Sequence, residues 1–109
     1  MRKIYLFCSA GMSTSMLAAN MQQVANERSL DIYVQAFPHD QLEEVIKAYH
    51  PDCILLGPQV NHLFEEIVKE FSRYGIPIGL IDSLDYGMLD GEKVLKSAIK
   101  LIRKAEKLK

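Results

Sequence analysis

The chain lacks most of the features that would take it out of the class of compact, water-exposed proteins. It has only two cysteines in 109 residues, Cys8 and Cys53. They are too far apart and too few for a disulfide framework, and in a reducing compartment both are expected to be thiols. Long apolar runs are missing: the longest, such as Cys53-Ile54-Leu55-Leu56, fall far short of a bilayer span. Met1 to Cys8 has basic residues and then apolar ones, but not the longer apolar stretch and small-residue cleavage site of a signal peptide. Repeats, low-complexity tracts and linkers are absent. His39, His50 and His62 have no metal-ligand spacing to one another or to Cys8, so neither a metal nor another cofactor is expected. These absences point to a cytoplasmic chain, not membrane-spanning, whose stability comes from its own packing.

What is present suffices for that packing. Hydrophobic residues make up 49% and charged residues 25%, and 109 residues fit one domain. Charge is unevenly spread. Residues 1–92 carry six Lys/Arg and thirteen Asp/Glu, a net of −7, whereas residues 93–109 carry seven Lys/Arg and one Glu, a net of +6. A basic tail can meet nucleic acid or an anionic surface. A solvated helix face with cations near its carboxyl end accounts for it more simply, and no nucleic-acid partner is expected.

Short apolar runs alternate with helical periodicities. Lys3-Ile4-Tyr5-Leu6-Phe7 reads as a first strand, and Asp31 to Phe37 as a second, closed by Pro38. Asp52 to Leu56 reads as a third, stopped by Gly57-Pro58. Ile76 to Ile81 is a fourth, whose Pro77 and Gly79 favour an edge position. Between them, Met16, Leu17, Met21, Val24 and Ala25 share one face of a helix over about 13–27, with Met16 expected in the core. Leu42, Val45, Ile46 and Tyr49 define a second helix, with Asp40 as its expected N-cap and Glu43 completing a capping box. Val60, Leu63, Phe64, Ile67, Val68 and Phe71 give a third, ended by Gly75. Val94, Leu95, Ala98, Leu101, Ile102 and Ala105 give a fourth, starting near Asp90. This β-α-β-α-β-α-β-α order predicts a parallel sheet with helices on both faces. Ligands of such folds sit beyond the carboxyl ends of the strands, here Cys8–Ser15, Gly57–Gln59 and Asp82–Gly87.

The first of these segments carries the chemistry. Cys8 stands where the strand ends, the small residues Ser9, Ala10, Gly11, Ser13, Thr14 and Ser15 follow, and a helix starts at once. Small residues let backbone N–H groups converge on an anion, and a helix N-terminus adds about half a positive charge. Gly11 can turn the loop around a phosphate. Such arrays favour thiolate, the nucleophilic form of a cysteine, and stabilise the oxygens of a transferring phosphoryl group. A buried cysteine before an ordinary helix cap is the simpler alternative, but the coincidence of thiol, glycine, hydroxyls and helix start favours the phosphate-handling one.

Ile4-Tyr5-Leu6-Phe7-Cys8-Ser9-Ala10-Gly11-Met12-Ser13-Thr14-Ser15 closely resembles the active-site segment of the enzyme IIB proteins. These belong to the lactose/cellobiose branch of the bacterial phosphoenolpyruvate-dependent sugar phosphotransferase system. The resemblance continues through Leu55 to Val60, Ile81 to Gly87 and Asp90 to Lys96. It implies that residues 1–109 form a single IIB domain: an α/β/α sandwich on a four-stranded parallel sheet of order 2-1-3-4, like the low-molecular-weight tyrosine phosphatases. It implies that Cys8 becomes a phosphocysteine, taking a phosphoryl group from a phosphohistidine of a IIA partner. The group would then pass to a β-linked disaccharide, of cellobiose, lactose or chitobiose type, held by a membrane-embedded IIC permease. Residues Ser9 to Ser15, Met12 included, would form the phosphate-binding loop.

The alternative is a cysteine-dependent phosphatase or arsenate reductase. Phosphatases of this fold carry Cys, five residues, then Arg, and here the Arg position is Thr14. A hydroxyl cannot replace a bidentate guanidinium, so transfer is favoured over hydrolysis, although Asp85 beside Tyr86 resembles a leaving-group acid. Gln59, Asp82, Ser83 and Tyr86 are candidates for the rim of the site, the first three being turn residues in the simpler reading. Cys53 is expected to be inert core, and Met12, if exposed, to offer a docking patch.

Overall fold

The computed structural model describes residues 1–9 and 12–108, Met12 by its backbone alone. Four strands are laid out: β1 (Arg2–Cys8), β2 (Ile32–Pro38), β3 (Cys53–Leu56) and β4 (Ile78–Leu80). They form one sheet of order β2-β1-β3-β4, parallel throughout. This is the expected order, with β4 on an edge. Among the described residues, five α-helices connect and follow them: α1 (Met12–Glu27), α2 (Leu42–Tyr49), α3 (Phe64–Phe71), α4 (Ser83–Gly87) and α5 (Gly91–Lys107).

Alternation along each strand divides the core into two layers. Ile4 and Leu6 of β1, with Cys53 and Leu55 of β3, pack beneath Leu17 and Met21 of α1 and Val94, Leu95, Ala98 and Ile102 of α5. Tyr5 and Phe7, with Ile54 and Leu56, face the other way, against Val45 and Ile46 of α2 and Ile67 and Phe71 of α3. Both faces of the central strands are therefore dry, which is why they read as unbroken apolar runs. Where α1 crosses α5, Gly91 is fully packed. A Cβ there would lie 2.6 Å from the Asn20 carbonyl carbon and 2.7 Å from the Met21 nitrogen.

Four local expectations are corrected. Asp40 is not the N-cap of α2: His39–Gln41 forms a 3-10 turn, and Gln41 takes the cap position without a side-chain bond. The apolar spacing from Val60 onward does not make one helix. Pro58–Leu63 is 3-10, with Val60 at φ −117° and ψ 19°, and α-helix begins only at Phe64. Proline at the start and a β-branched residue two positions later favour the tighter, broken turn. Met16 is 51% exposed rather than core, because Leu17 and Met21 occupy the face that meets the sheet. Asp82–Gly87 is not only loop: Ser83–Gly87 is helical, and Asp82 caps it by accepting from the Leu84 and Asp85 backbone N–H groups. Gly75, at φ 71°, ends the α3 region as expected.

Candidate functional site

The site is built where β1, the inner strand between β2 and β3, reaches its carboxyl end. Cys8 is the last residue of β1, level with Pro38 of β2, and is buried. By alternation it belongs to the Ile4–Leu6 face, the one covered by α1. The path on its other side is fixed by Gly57, whose N–H donates to the Phe7 carbonyl at 2.8 Å. A Cβ on Gly57 would stand 3.2 Å from Cys8 Cβ and 2.8 Å from Gln59 Oε1. The chain after β3 thus passes close to the thiol residue only because no side chain intervenes, and Gln59, exposed at this end, folds its amide back over Gly57.

Ser9 is exposed directly after Cys8. Ala10, Gly11 and the side chain of Met12, which complete the expected phosphate loop, lie outside the described residues. α1 begins at Met12 with no acidic residue in its first turn, so no carboxylate there offsets the positive end of a 16-residue helix. Ser13 and Ser15 are exposed. Thr14 is fully buried, and its Oγ1 lies 2.9 Å from the Tyr86 hydroxyl. Tyr86, expected at the rim, is instead buried, in the core layer of α1 and α5. Asp82 is committed to its capping bonds, while Ser83 is exposed in the first turn of α4. Asp85 lines a groove with Lys93, Lys96 and Lys100 of α5, and none of the described residues lining that groove belongs to the Cys8 loop.

One neighbour was not anticipated. His39, half-buried, has its Nδ1 3.4 Å from the Cys8 carbonyl oxygen. The signal lay in parallel pairing: if Cys8 and Pro38 end adjacent strands at one level, the residue after Pro38 must flank the thiol's backbone. Cys53 lies at the start of β3, buried in the core. Burial first, and the Asp52 charge second, push it up to about 12, and it stays protonated at neutral pH. Among the described residues, no three His, Cys, Asp or Glu side chains gather as a metal-binding set, and no helix is long and apolar enough to cross a membrane.

A parallel 2-1-3-4 sheet with a thiol residue at the end of its inner first strand, followed in the chain by a helix with an acid-free first turn, defines a cysteine-bearing α/β protein. Comparison with known proteins narrows the class. The sequence profile of the PTS system, Lactose/Cellobiose specific IIB subunit, matches residues 3–97. The oligo-beta-mannoside-specific EIIB component of Bacillus subtilis is 37% identical over 102 residues, covering 94% of this chain and 97% of that protein. The solution structure of a cellobiose-specific phosphotransferase IIB component from Borrelia burgdorferi superposes with a TM-score of 0.78 at 35% identity, over 95% of this chain and 94% of that one. A YwlE mutant from Bacillus subtilis, with the low-molecular-weight phosphatase-like fold, superposes at a TM-score of 0.52 and 15% identity over 99% of both chains, a likeness of fold alone. The chain belongs to the lactose/cellobiose-specific IIB subunits of the sugar phosphotransferase system. IIB components of this system act as phosphotransferases.

Proposed function

We propose that this chain carries phosphoryl groups on Cys8, from a IIA phosphohistidine to a β-linked disaccharide held by a membrane-embedded IIC permease, working at the cytoplasmic face as one IIB domain. The observation that carries the reading is the position of Cys8 at the carboxyl end of β1, with the acid-free start of α1 four residues further along the chain. In the first step the Cys8 sulfur attacks phosphorus, an S–P bond forms and the N–P bond of the phosphohistidine breaks. The departing imidazole keeps the electron pair and takes up the proton that the thiol gives up. In the second, a sugar hydroxyl attacks phosphorus, the S–P bond breaks, and the hydroxyl proton restores the thiol. Backbone N–H groups of Ser9 to Ser15 are assigned to the phosphoryl oxygens, with Gln59 and Ser83 at the rim.

Thr14 favours a carrier over a phosphatase. Where the phosphatase pattern has a guanidinium to clamp phosphate, this chain has a hydroxyl turned inward to Tyr86. A carrier also gains from reacting slowly with water, because the thiophosphate must last until its acceptor arrives. The experiment is mass spectrometry after incubation with phosphoenolpyruvate, the general phosphotransferase proteins and a matching IIA. One phosphoryl group is expected on the wild type and none on Cys8→Ser. Sustained, Cys8-dependent turnover of an aryl phosphate would overturn the assignment. The sugar named for one relative is an oligo-β-mannoside and for another cellobiose, so the reading stays at β-linked disaccharides as a class.

A further inference from the structure

We propose that the outer face of α5 is a docking surface for an anionic lipid bilayer. Lys93, Lys96, Lys100, Arg103, Lys104 and Lys107 are all exposed on this helix. At 3.6 residues per turn they fall within an arc of about 100°, along about 21 Å of helix, opposite the buried Val94, Leu95, Ala98 and Ile102. The helix's own carboxylates do not neutralise this stripe. Glu92 is bonded to Arg28 and Glu106 to Arg2, the latter at 2.9 Å, which draws both to the flank. Glu92 does reach Lys96, at 3.5 Å. Among the described residues the other five cations make no ion pair. Among the described residues, Asp85 is the one carboxylate lining the groove of about 570 Å³ between this stripe and β4.

Three observations select a bilayer as the occupant. The stripe runs along one unbroken helix and is made chiefly of lysines, hydrated point charges suited to a diffuse anionic surface rather than to forked recognition of one carboxylate or phosphate. The remainder of the chain, residues 1–92, has a net charge of −7, so the same surface that attracts α5 repels the rest and orients the molecule. Leu80 and Leu108, 42% and 80% exposed, flank the stripe, with Leu80 in the lysine-lined groove and Leu108 directly after Lys107. They supply apolar contact at the headgroup boundary. This inference does not depend on the chemistry assigned to Cys8.

The test is co-sedimentation of the full chain with vesicles, either phosphatidylcholine alone or equal parts phosphatidylcholine and phosphatidylserine. Binding is expected only to the phosphatidylserine vesicles, strongest at low salt and weakened as salt shortens the reach of the charges. Lys96→Glu/Lys100→Glu/Lys104→Glu, at exposed positions, should weaken it by about a hundredfold or more, while Lys47→Glu/Lys69→Glu, on the α2 and α3 side, should not. Circular dichroism checks that the variants fold, and Cys8→Ser should bind like the wild type. Equal binding to both vesicle types, no binding at low salt, or an unaffected triple variant overturns the proposal. So does a triple variant that loses solution phosphoryl transfer from IIA while the wild type ignores vesicles, since the stripe would then serve an acidic protein.

Discussion

Thr14 Oγ1 and Tyr86 Oη lie 2.9 Å apart, both buried, across 72 residues of sequence. This hydrogen bond ties the first turn of α1 to α4, and so links the segment after β1 to the one after β4. The Asn20 side-chain amide adds a second tie, donating to the Leu89 carbonyl at 3.0 Å. Together they fix α1, at its first turn and again near its middle, to the chain between β4 and α5. The position that a phosphatase of this fold gives to a phosphate-clamping arginine is here part of the scaffold.

The strength of that tie can be measured with a double-mutant cycle. Tyr86→Phe leaves the Thr14 hydroxyl without its partner, and Thr14→Val does the same to the Tyr86 hydroxyl. Each single change should cost about 1–3 kcal/mol, the penalty for a buried polar group left unbonded. The double variant should cost less than the two added together, with a coupling of about 1 kcal/mol. Urea unfolding of the four proteins supplies the comparison, and strict additivity would show that the hydroxyls do not interact.

Gly57 makes a second prediction, on the site itself. In Gly57→Ala the new Cβ would meet Gln59 Oε1 at 2.8 Å and Cys8 Cβ at 3.2 Å. The glutamine can swing away, but Cys8 is fixed in β1. We expect a loss of about 1–3 kcal/mol in stability and slower phosphorylation of Cys8 by IIA, followed by mass spectrometry over time. Adding Gln59→Ala should relieve the first contact and recover part of the stability, without restoring the wild-type rate of phosphorylation.

The layered fold could be read from the chain because its signals are local. Apolar runs such as Ile54-Leu55-Leu56 and the spacing Val94, Leu95, Ala98, Ile102 each identify an element without help from elsewhere. What escaped detection depends on distant partners or on very short elements. Nothing near Tyr86 reveals that its hydroxyl will find Thr14, so it read as a rim residue. Ser83–Gly87 is too short for any periodicity, and only the capping pattern at Asp82 marks it. Val60, Leu63 and Phe64 fit a helical face, but Pro58 and the Val60 backbone divide that stretch into a 3-10 turn and a separate helix. His39 beside the Cys8 carbonyl follows from strand register, which is a property of the pair and not of either strand.

Gly91 provides the strictest packing test. A methyl group there would lie 2.6 Å from the Asn20 carbonyl carbon and 2.7 Å from the Met21 nitrogen, and backbone cannot rotate aside as a side chain can. Gly91→Ala must therefore push α5 away from α1, opening the layer that contains Leu17, Met21, Val94 and Leu95. At a first helical position, where Gly91 stands, Gly→Ala ordinarily gains about 0.4–1 kcal/mol by restricting the unfolded chain. Here the opposite sign is expected, a destabilisation of about 1–3 kcal/mol or more, read as a lower Tm. An unchanged or raised Tm would mean that the two helices are free to separate.

Cys53 gives the fold a pH dependence at the alkaline end. Burial, reinforced by Asp52, raises its thiol from the ordinary 9.0 to about 12. Between those values the unfolded chain releases this proton while the folded one retains it, so the unfolded state binds fewer protons and stability falls as pH rises. The contribution is complete below about pH 9 and is lost progressively toward pH 12, by on the order of 4 kcal/mol at most. Tyr5, raised chiefly by burial and then by the nearby Tyr33, Tyr49 and Asp52, titrates in the same direction and must be separated from it. Cys53→Ala removes the thiol but leaves Tyr5, at the cost of a small cavity in the core. Its unfolding free energy should start lower at pH 8 and decline less steeply from pH 9 to 11 than that of the wild type. Parallel decline of the two proteins would assign the whole alkaline loss to Tyr5 and the other titrating groups.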